Sequence, residues 1–171
     1  MRTWTRRSPY EGMPGRGAGL MQHSEVTIRD AAAGDIQMVI RLDEIHTGLA
    51  KPDYWREMFA AYVTAAHFGR FFLIAEVAGK VAGFIVGEIR TWEFGSPPCG
   101  WVFAVNVSPD CREGGIGSGL LDAICARFRD CGVGTVRTMI SRNDPLNLAF
   151  FRSQGMTAGP YIELEKSVEP V

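Results

Sequence analysis

The sequence predicts an α/β (α+β) fold, in which a mixed, mostly antiparallel central sheet is flanked by helices on both faces. Two observations predict it. Short apolar runs separated by tight turns, which are typical of strands, dominate residues 71–107. On either side of that stretch, apolar residues recur at helical spacing. Hairpins followed by strand–helix alternation indicate a mixed sheet rather than a purely parallel one.

The length and composition are typical of one globular domain. The chain has 171 residues, of which 46% are hydrophobic and 22% charged, and its formal net charge is −1. That balance does not provide the basic face that nucleic-acid binding requires, so we expect no nucleic-acid partner. No apolar run approaches the roughly 20 residues of a membrane span, so we expect no membrane partner either.

The cysteines indicate no metal site. Cys99, Cys111, Cys125 and Cys131 form no CxxC pair, and no closely spaced histidines accompany them. Reduced thiols suit a cytoplasmic protein. The arginines near the amino terminus are not followed by an apolar run, so we expect no secretory signal.

Residues 1–23 differ from the rest of the chain. They are rich in Gly, Arg and Pro and show neither helical nor strand periodicity. We therefore predict a flexible extension over 1–23 and a folded domain over 24–171. Translation could start at Met1 or at Met21.

The predicted elements follow from local patterns. A strand covers 26–29, Asp35 caps a first helix, and Pro52 begins a second helix whose aromatic stripe is typical of a core. Strands over 71–77 and 80–89 meet at Ala78-Gly79, a tight hairpin turn. The remaining predicted elements are a loop over 92–99, a strand over 101–107, a helix over 117–130, a strand over 135–140, a helix from Pro145 to Gly155 and a last strand over 161–165.

A glycine-rich stretch follows the 101–107 strand and leads directly into a helix. Pro109 prevents further strand pairing, and the glycines after it let the backbone approach a ligand closely. The unpaired N–H groups of a first helical turn, together with the helix dipole, form an anion site suited to a pyrophosphate. Arg112 adds a cation beside it.

Other nucleotide-binding loops fit this stretch less well. A P-loop would need a lysine after its last glycine, but Gly117 is followed by Ser118. A dinucleotide fingerprint starting at Gly115 would need glycine or alanine where Leu120 stands, and it would open a βαβ unit rather than follow hairpins. A glycine turn without a ligand is the remaining alternative.

Two motifs carry a resemblance to a known family. Arg112-x-x-Gly115-Ile116-Gly117, after a strand that ends Val107-x-Pro109, resembles the acetyl-CoA motif of the GNAT superfamily. Residues 143–156 resemble the strand exit and helix that follow in that family, which usually end in Tyr-x-x-x-Gly-Phe. Together the two motifs extend the resemblance over about residues 26–165 and imply a GNAT-like sheet.

The resemblance implies an acetyl-CoA-dependent N-acetyltransferase without a metal. Pantetheine would lie between the strands that end at Val107 and near Ile140, and the amine would attack the thioester directly while backbone amides stabilise the oxyanion. The backbone of the glycine loop would bind the pyrophosphate through Arg112, Glu113, Gly114, Gly115, Ile116, Gly117 and Ser118. Val105, Asn106, Val107, Asn143 and Phe151 would contact the rest of the coenzyme.

The catalytic acid and base are less clearly marked. Phe151 stands where many family members have a tyrosine that protonates the leaving thiolate, and phenylalanine has no donor. That proton could come from water or Tyr161, or the thiolate could leave unprotonated. As general base we predict Glu88, with Glu93 and His46 as the next candidates.

The acceptor should be a primary amine: a protein N-terminus, a lysine or a small amine. We expect the first two helices, their connection and the 92–99 loop to hold it. The protein would act as a monomer or homodimer. Two other functions stay open: a CoA-sensing domain with weak or no catalysis, suggested by Phe151, and an NAD-dependent enzyme.

Overall fold

The computed structural model describes residues 26–65 and 67–168, apart from the side chains of Arg112 and Glu113. The extension predicted over 1–23 lies outside the described residues. The described residues form five strands: β1 (Val26–Asp30), β2 (Arg70–Val77), β3 (Lys80–Arg90), β4 (Cys99–Val107) and β5 (Val136–Thr138). The same residues form four α-helices: α1 (Ile36–Thr47), α2 (Pro52–Phe59), α3 (Ile116–Asp130) and α4 (Pro145–Ser153).

The strands form one sheet in chain order, β1-β2-β3-β4-β5. The first four are antiparallel neighbours, whereas β5 pairs parallel with β4. The predicted mixed, mostly antiparallel sheet is therefore confirmed. A parallel neighbour needs a crossover connection, and α3 provides it between β4 and β5.

Local sequence signals set several element ends. Ala78 and Gly79 both have positive φ, 50° and 74°, as a two-residue hairpin turn of the favoured twist requires. The N–H of Gly48 donates to the Glu44 carbonyl at 2.8 Å with φ of 71°, which ends α1. Asp144 caps α4 as predicted, because its side chain accepts from the Asn147 N–H.

Helices cover both faces of the sheet, each over its own core. On one face, Leu120, Ile124 and Phe128 of α3 pack against Leu73 and Ile85, and all five are buried. On the other face, the buried residues are Val39, Leu42, Trp55, Phe59, Phe72, Ile74, Phe84 and Val86. Neighbouring residues of β2 and β3 serve opposite cores because strand side chains alternate between faces. Fully burying one such side chain contributes about 1.5–3 kcal/mol.

The prediction of a last strand over 161–165 was wrong. Residues 161–168 have no regular secondary structure, and Ile162 and Leu164 are 84% and 85% exposed. The alternating pattern is present, but within the described residues no sheet edge pairs with it, and a strand exists only through pairing. The strand predicted over 135–140 is also shorter, because only Val136–Thr138 pairs with β4.

Asp35 lies at the predicted cap position of α1 but does not cap it with its side chain. The carboxylate instead accepts from the Ala32 N–H at 2.8 Å and from both terminal nitrogens of Arg29, at 2.7 and 2.8 Å. Arg29 also donates to Glu76 of β2 at 2.6 Å. This network ties β1, β2 and the start of α1 together.

Candidate active site

Strands β4 and β5 stop pairing partway along β4 and separate from there. Their pairing covers only Gly100–Val102 of β4 and Val136–Thr138 of β5. Beyond Val102, β4 continues to pair with β3 up to Val107, but no described strand pairs with its other edge. Those backbone N–H and C=O groups of residues 103–107 that point away from β3 therefore face an opening between the two strands.

A bulge in β4 lies beside this opening. Val86 of β3 pairs with Ala104 and Gly87 pairs with Val102, which leaves Phe103 as the extra residue. Bulges bend a strand and redirect its side chains. In consequence both Phe103 and Ala104 pack on the side of the sheet that α1 and α2 cover.

A cavity of about 400 Å³ adjoins the opening. Its walls come from α1, α2 and the connection between them, from residues 102–106 of β4, from the last residue of β5 and the three that follow (138–141), and from α4 with its cap residue. The volume falls within the usual range of small-molecule sites. Of the predicted coenzyme contacts, Val105, Asn106 and Phe151 line it.

The glycine loop lies between the end of β4 and α3. Pro109–Gly114 forms a 3₁₀ turn, and Gly115 precedes α3 with φ of 68°, in the left-handed region. The N–H groups of Ile116, Gly117 and Ser118 belong to the first turn of α3, which has no intrahelical acceptors for them. This is the backbone arrangement that an anion site requires, and anion binding here stays a prediction.

Gly117 has a packing role besides its predicted one. A Cβ there would lie 3.1 Å from the Phe150 ring of α4. Close contact between α3 and α4 therefore favours glycine at this position whether or not a phosphate binds. Asn143 is exposed before α4, and its N–H donates to the Ser141 hydroxyl at 3.2 Å.

Glu88 is held in a hydrogen-bonded group beside the cavity rather than among its lining residues. The Tyr62 hydroxyl donates to Glu88 Oε2 at 2.6 Å, and Arg90 Nε donates to Oε1 at 3.1 Å. The Tyr62 ring meets Phe103, a cavity residue, edge-on at 5.7 Å. Burial, and secondly the bond to Glu88, raises the pKa of Tyr62, so its hydroxyl stays protonated.

The other predicted acid–base candidates do not line the cavity. Glu93 is exposed in the loop after β3, and His46 Nδ1 lies 2.8 Å from the Leu42 carbonyl oxygen. Tyr161 is 52% exposed, with the Arg137 guanidinium 4.5 Å from its ring centroid. Among the described residues that line the cavity, Tyr54 is the only tyrosine.

Sequence reasoning missed Asp43, a buried carboxylate in the cavity wall. Asp43 is 4% exposed, and its Oδ2 accepts from Trp55 Nε1 at 2.9 Å and lies 2.9 Å from Lys51 Nζ. A signal was available: Asp43 follows Val39 by four positions, so it lies on the inward stripe of α1. An acidic residue on an apolar stripe needs a partner or a ligand.

The described residues contain neither a metal-binding cluster nor a candidate membrane span. Within residues 26–65 and 67–168, no group of three His, Cys, Asp or Glu side chains could hold a metal ion. None of the helices in this part of the chain has the length and apolarity of a membrane span.

Comparison with known proteins decides the family. The model of the acetyltransferase (GNAT) family matches residues 36–156, which is more than half of the chain. The chain belongs to the GNAT family. The predicted GNAT-like fold and the predicted GNAT family membership are thereby confirmed, and the P-loop and dinucleotide alternatives are set aside.

Similar proteins are known in sequence and in structure. This GNAT chain is 33% identical over 87 residues to an L-2,4-diaminobutyric acid acetyltransferase of Nocardia farcinica (strain IFM 10152), a match that spans 51% of this chain and 44% of that protein. Aminoglycoside N-acetyltransferase AAC(6')-Iy in complex with CoA has a TM-score of 0.74 at 16% identity, covering 91% of this chain and 99% of that one. An aminoglycoside acetyltransferase from an uncultured soil metagenomic sample, in complex with sisomicin, has a TM-score of 0.66 at 17% identity over 85% and 97% of the two chains. The two structural likenesses show the shared fold.

Proposed function

We propose that this GNAT protein transfers an acetyl group from acetyl-CoA to the primary amine of a small acceptor, by direct attack in a ternary complex. The observation that carries the proposal is the parting of β4 and β5 beyond Val102, beside a cavity. A coenzyme arm placed there can bond to the free edge of β4, and its thioester meets an acceptor held by the helices.

The coenzyme would be held mainly by backbone groups. The pyrophosphate accepts N–H bonds from residues 112–118 at the positive end of α3. The pantetheine arm bonds to the free edge of β4 along Val105, Asn106 and Val107, while Phe151 packs beside the thioester end and Asn143 contacts the arm. None of these roles requires a metal.

The chemical step forms one bond and breaks another. The neutral amine nitrogen attacks the thioester carbonyl carbon, the C–S bond breaks, and the coenzyme leaves as a thiolate. Backbone N–H groups of the free β4 edge stabilise the oxyanion. The thiolate can leave unprotonated because thiols are fairly acidic (the cysteine side chain has a pKa of about 8.5), and Phe151 is therefore tolerable where relatives have tyrosine.

Glu88 remains our proposed acceptor of the amine proton. Its carboxylate bonds to Tyr62, which contacts Phe103 in the cavity wall, so the proton would reach it through the Tyr62 hydroxyl or water. General bases of this kind contribute about 10²–10⁴-fold to rate.

Cavity size favours a small acceptor over a protein. A volume of about 400 Å³ must hold the pantetheine end and the acceptor together. The names of the similar proteins, a diaminobutyric acid acetyltransferase and aminoglycoside acetyltransferases, point the same way. A CoA-sensing domain without efficient catalysis is the second candidate, because Phe151 offers no donor.

An amine panel with a free-thiol readout tests the proposal. Purified protein and acetyl-CoA are combined with diamines, diamino acids, aminoglycosides, a lysine peptide and a peptide with a free N-terminus. We expect thiol release with at least one small amine and much less with the peptides. Acetyl-CoA binding without turnover of any amine would instead favour the sensing domain.

A further inference from the structure

Asp43 and Lys51 form an ion pair in the wall of the cavity. Asp43 comes from α1 and Lys51 from the residue just before α2, and both line the cavity. Their side chains are 6% and 36% exposed, and Lys51 Nζ lies 2.9 Å from Asp43 Oδ2. Trp55 Nε1, at 2.9 Å, donates to the same oxygen.

This arrangement leaves specific bonding capacity for a ligand. Trp55 Nε1 and Lys51 Nζ both contact Oδ2 of the carboxylate, and no donor among the described residues bonds to Oδ1. A carboxylate oxygen accepts up to two hydrogen bonds, and a lysine ammonium has three donors. Lys51 Nζ forms an ion pair with Asp43, and the half-exposed ammonium keeps donors available for a ligand.

The acceptor oxygen Oδ1 of Asp43 and the remaining donors of Lys51 Nζ carry opposite charges and lie close together. An acceptor oxygen suits an ammonium group, and an ammonium donor suits a carboxylate. An α-amino acid carries both groups on one carbon. A simple diamine carries no carboxylate and would leave Lys51 without a match.

We propose that the Asp43–Lys51 pair binds the α-amino-acid head group of a diamino acid acceptor. Asp43 Oδ1 accepts from the α-ammonium, and Lys51 Nζ donates to the α-carboxylate. This rests on the proposed function, which supplies the thioester between β4 and β5. The assignment names the acceptor class and the residues that select it.

The pair also determines which amine reacts. The head group is fixed to the wall formed by α1 and the start of α2, so the side chain of the acceptor extends towards the β4–β5 opening. Its neutral terminal amine attacks the thioester carbonyl carbon, a C–N bond forms as the C–S bond breaks, and the coenzyme leaves as a thiolate. The proton lost from the nitrogen passes to Glu88 through the Tyr62 hydroxyl or water. The α-ammonium stays protonated against Asp43 and is not acetylated.

The neighbouring groups fit this assignment. The Tyr54 ring centroid lies 5.8 Å from Lys51 Nζ and helps hold the ammonium in place. Asp144, the other carboxylate among the described lining residues, is occupied by Asn147, which donates to it through its backbone and side-chain nitrogens. Asp43 is therefore the carboxylate best placed to accept from an added ammonium.

Matched acceptors that differ only in the carboxylate test the proposal. Steady-state kcat/KM is measured for 2,4-diaminobutyrate against 1,3-diaminopropane, and for ornithine against 1,4-diaminobutane. Loss of a hydrogen bond between charged groups corresponds to roughly tenfold to hundredfold, so we expect the wild-type protein to prefer each diamino acid by that factor. Lys51→Met should remove the preference by lowering kcat/KM for the diamino acids alone.

Two controls separate recognition from folding. Lys80→Met changes an exposed lysine at the β2–β3 turn and should leave all four kcat/KM values unchanged. Melting temperatures of both variants show whether the fold is kept. Fragmentation mass spectrometry of the product should place the acetyl group on the side-chain amine.

The outcomes distinguish failure of the head-group assignment from failure of the proposed acetyltransferase function. Equal kcat/KM for diamines and diamino acids, an equal effect of Lys51→Met on both, or acetylation at the α-amine would each overturn the head-group assignment while leaving the acetyltransferase intact. Absence of turnover with every amine would overturn the proposed function and this assignment with it.

Discussion

At the scale of single residues, some candidate site residues line the cavity, whereas others only contact residues that line it. Phe151 and Asp43 lie in the cavity wall, whereas Glu88 is joined to that wall through Tyr62 and Phe103. An acid–base role for Glu88 therefore depends on proton transfer across a hydrogen bond. This dependence can be tested kinetically.

Replacing Glu88 with glutamine should lower kcat/KM by about 10²-fold near neutral pH, because the proton acceptor is lost while the bond from Tyr62 is kept. The deficit should shrink as pH rises, since more of the amine is already neutral. Measuring kcat/KM from pH 6 to 10 checks this. Glu93→Gln, at the exposed alternative candidate, is the matched control. A Glu88→Gln enzyme with the wild-type profile would remove Glu88 from the mechanism.

At the scale of elements, the first turn of α3 is the predicted phosphate site, and its backbone conformation constrains how it can be tested. Gly115 has φ of 68°, and a Cβ there would meet no heavy atom within 4 Å. Aspartate and asparagine tolerate left-handed backbone better than most residues. The two side chains have nearly the same shape, so a comparison of Gly115→Asp with Gly115→Asn isolates the effect of the negative charge.

Gly115→Asp should abolish or strongly weaken acetyl-CoA binding, because a negative side chain would oppose the phosphates at the positive end of α3. Gly115→Asn should retain much more of the binding. Thermal-shift titration with acetyl-CoA measures both. If the aspartate variant folds and is stabilised by acetyl-CoA as much as the wild type, the pyrophosphate does not bind there.

The Arg29–Asp35–Glu76 network links three elements and predicts a pH-dependent stability. The bonds from Arg29 hold the pKa of the Asp35 carboxyl below its ordinary value. A lowered pKa contributes stability above the unfolded value near pH 4, and this stability is lost as pH falls through the folded pKa. The effect is moderated because the Arg29 side chain is 34% exposed.

Asp35→Asn should therefore lower the free energy of unfolding at pH 7 by about 1–2 kcal/mol, a value reduced for partial solvation. The difference from wild type should be smaller at pH 3. Urea unfolding at the two pH values checks the sign. The exposed pair Arg56–Asp53 offers a control, since Asp53→Asn should change stability little at either pH. An Asp35→Asn deficit that grew on acidification would contradict the linkage.

At the scale of the whole molecule, two cores on opposite faces of one sheet position the site. Helices α1 and α2, over one core, contribute to the cavity wall, and α3, over the other core, begins at the glycine loop. The GNAT family model begins at Ile36, within the described residues. Residues 1–23 contain no apolar pattern with which to pack on either core.

A chain that starts at Ser24 should consequently keep its melting temperature and its affinity for acetyl-CoA. Thermal unfolding with and without acetyl-CoA, for the full and shortened chains, is the measurement. A drop of several degrees on shortening would mean that the extension packs on the domain, contrary to its predicted flexibility.

Local patterns in the sequence determined most of the elements and the position of the glycine loop. Helical spacing, the Ala78-Gly79 turn, the Asp144 cap and the glycines before α3 act within a few residues, so they can be recognised without knowing what packs where. The same local signals carried the GNAT resemblance.

Only the tertiary structure decided the contacts between distant positions. Asp43 meets Lys51 because α1 and α2 pack side by side around Trp55, and Glu88 is bonded to Tyr62, 26 positions away. The alternating pattern at 161–165 predicted a strand that does not form. A period of two is typical of a strand, but pairing also requires a free sheet edge beside it. Such contacts depend on which faces meet, and a linear pattern does not contain that information.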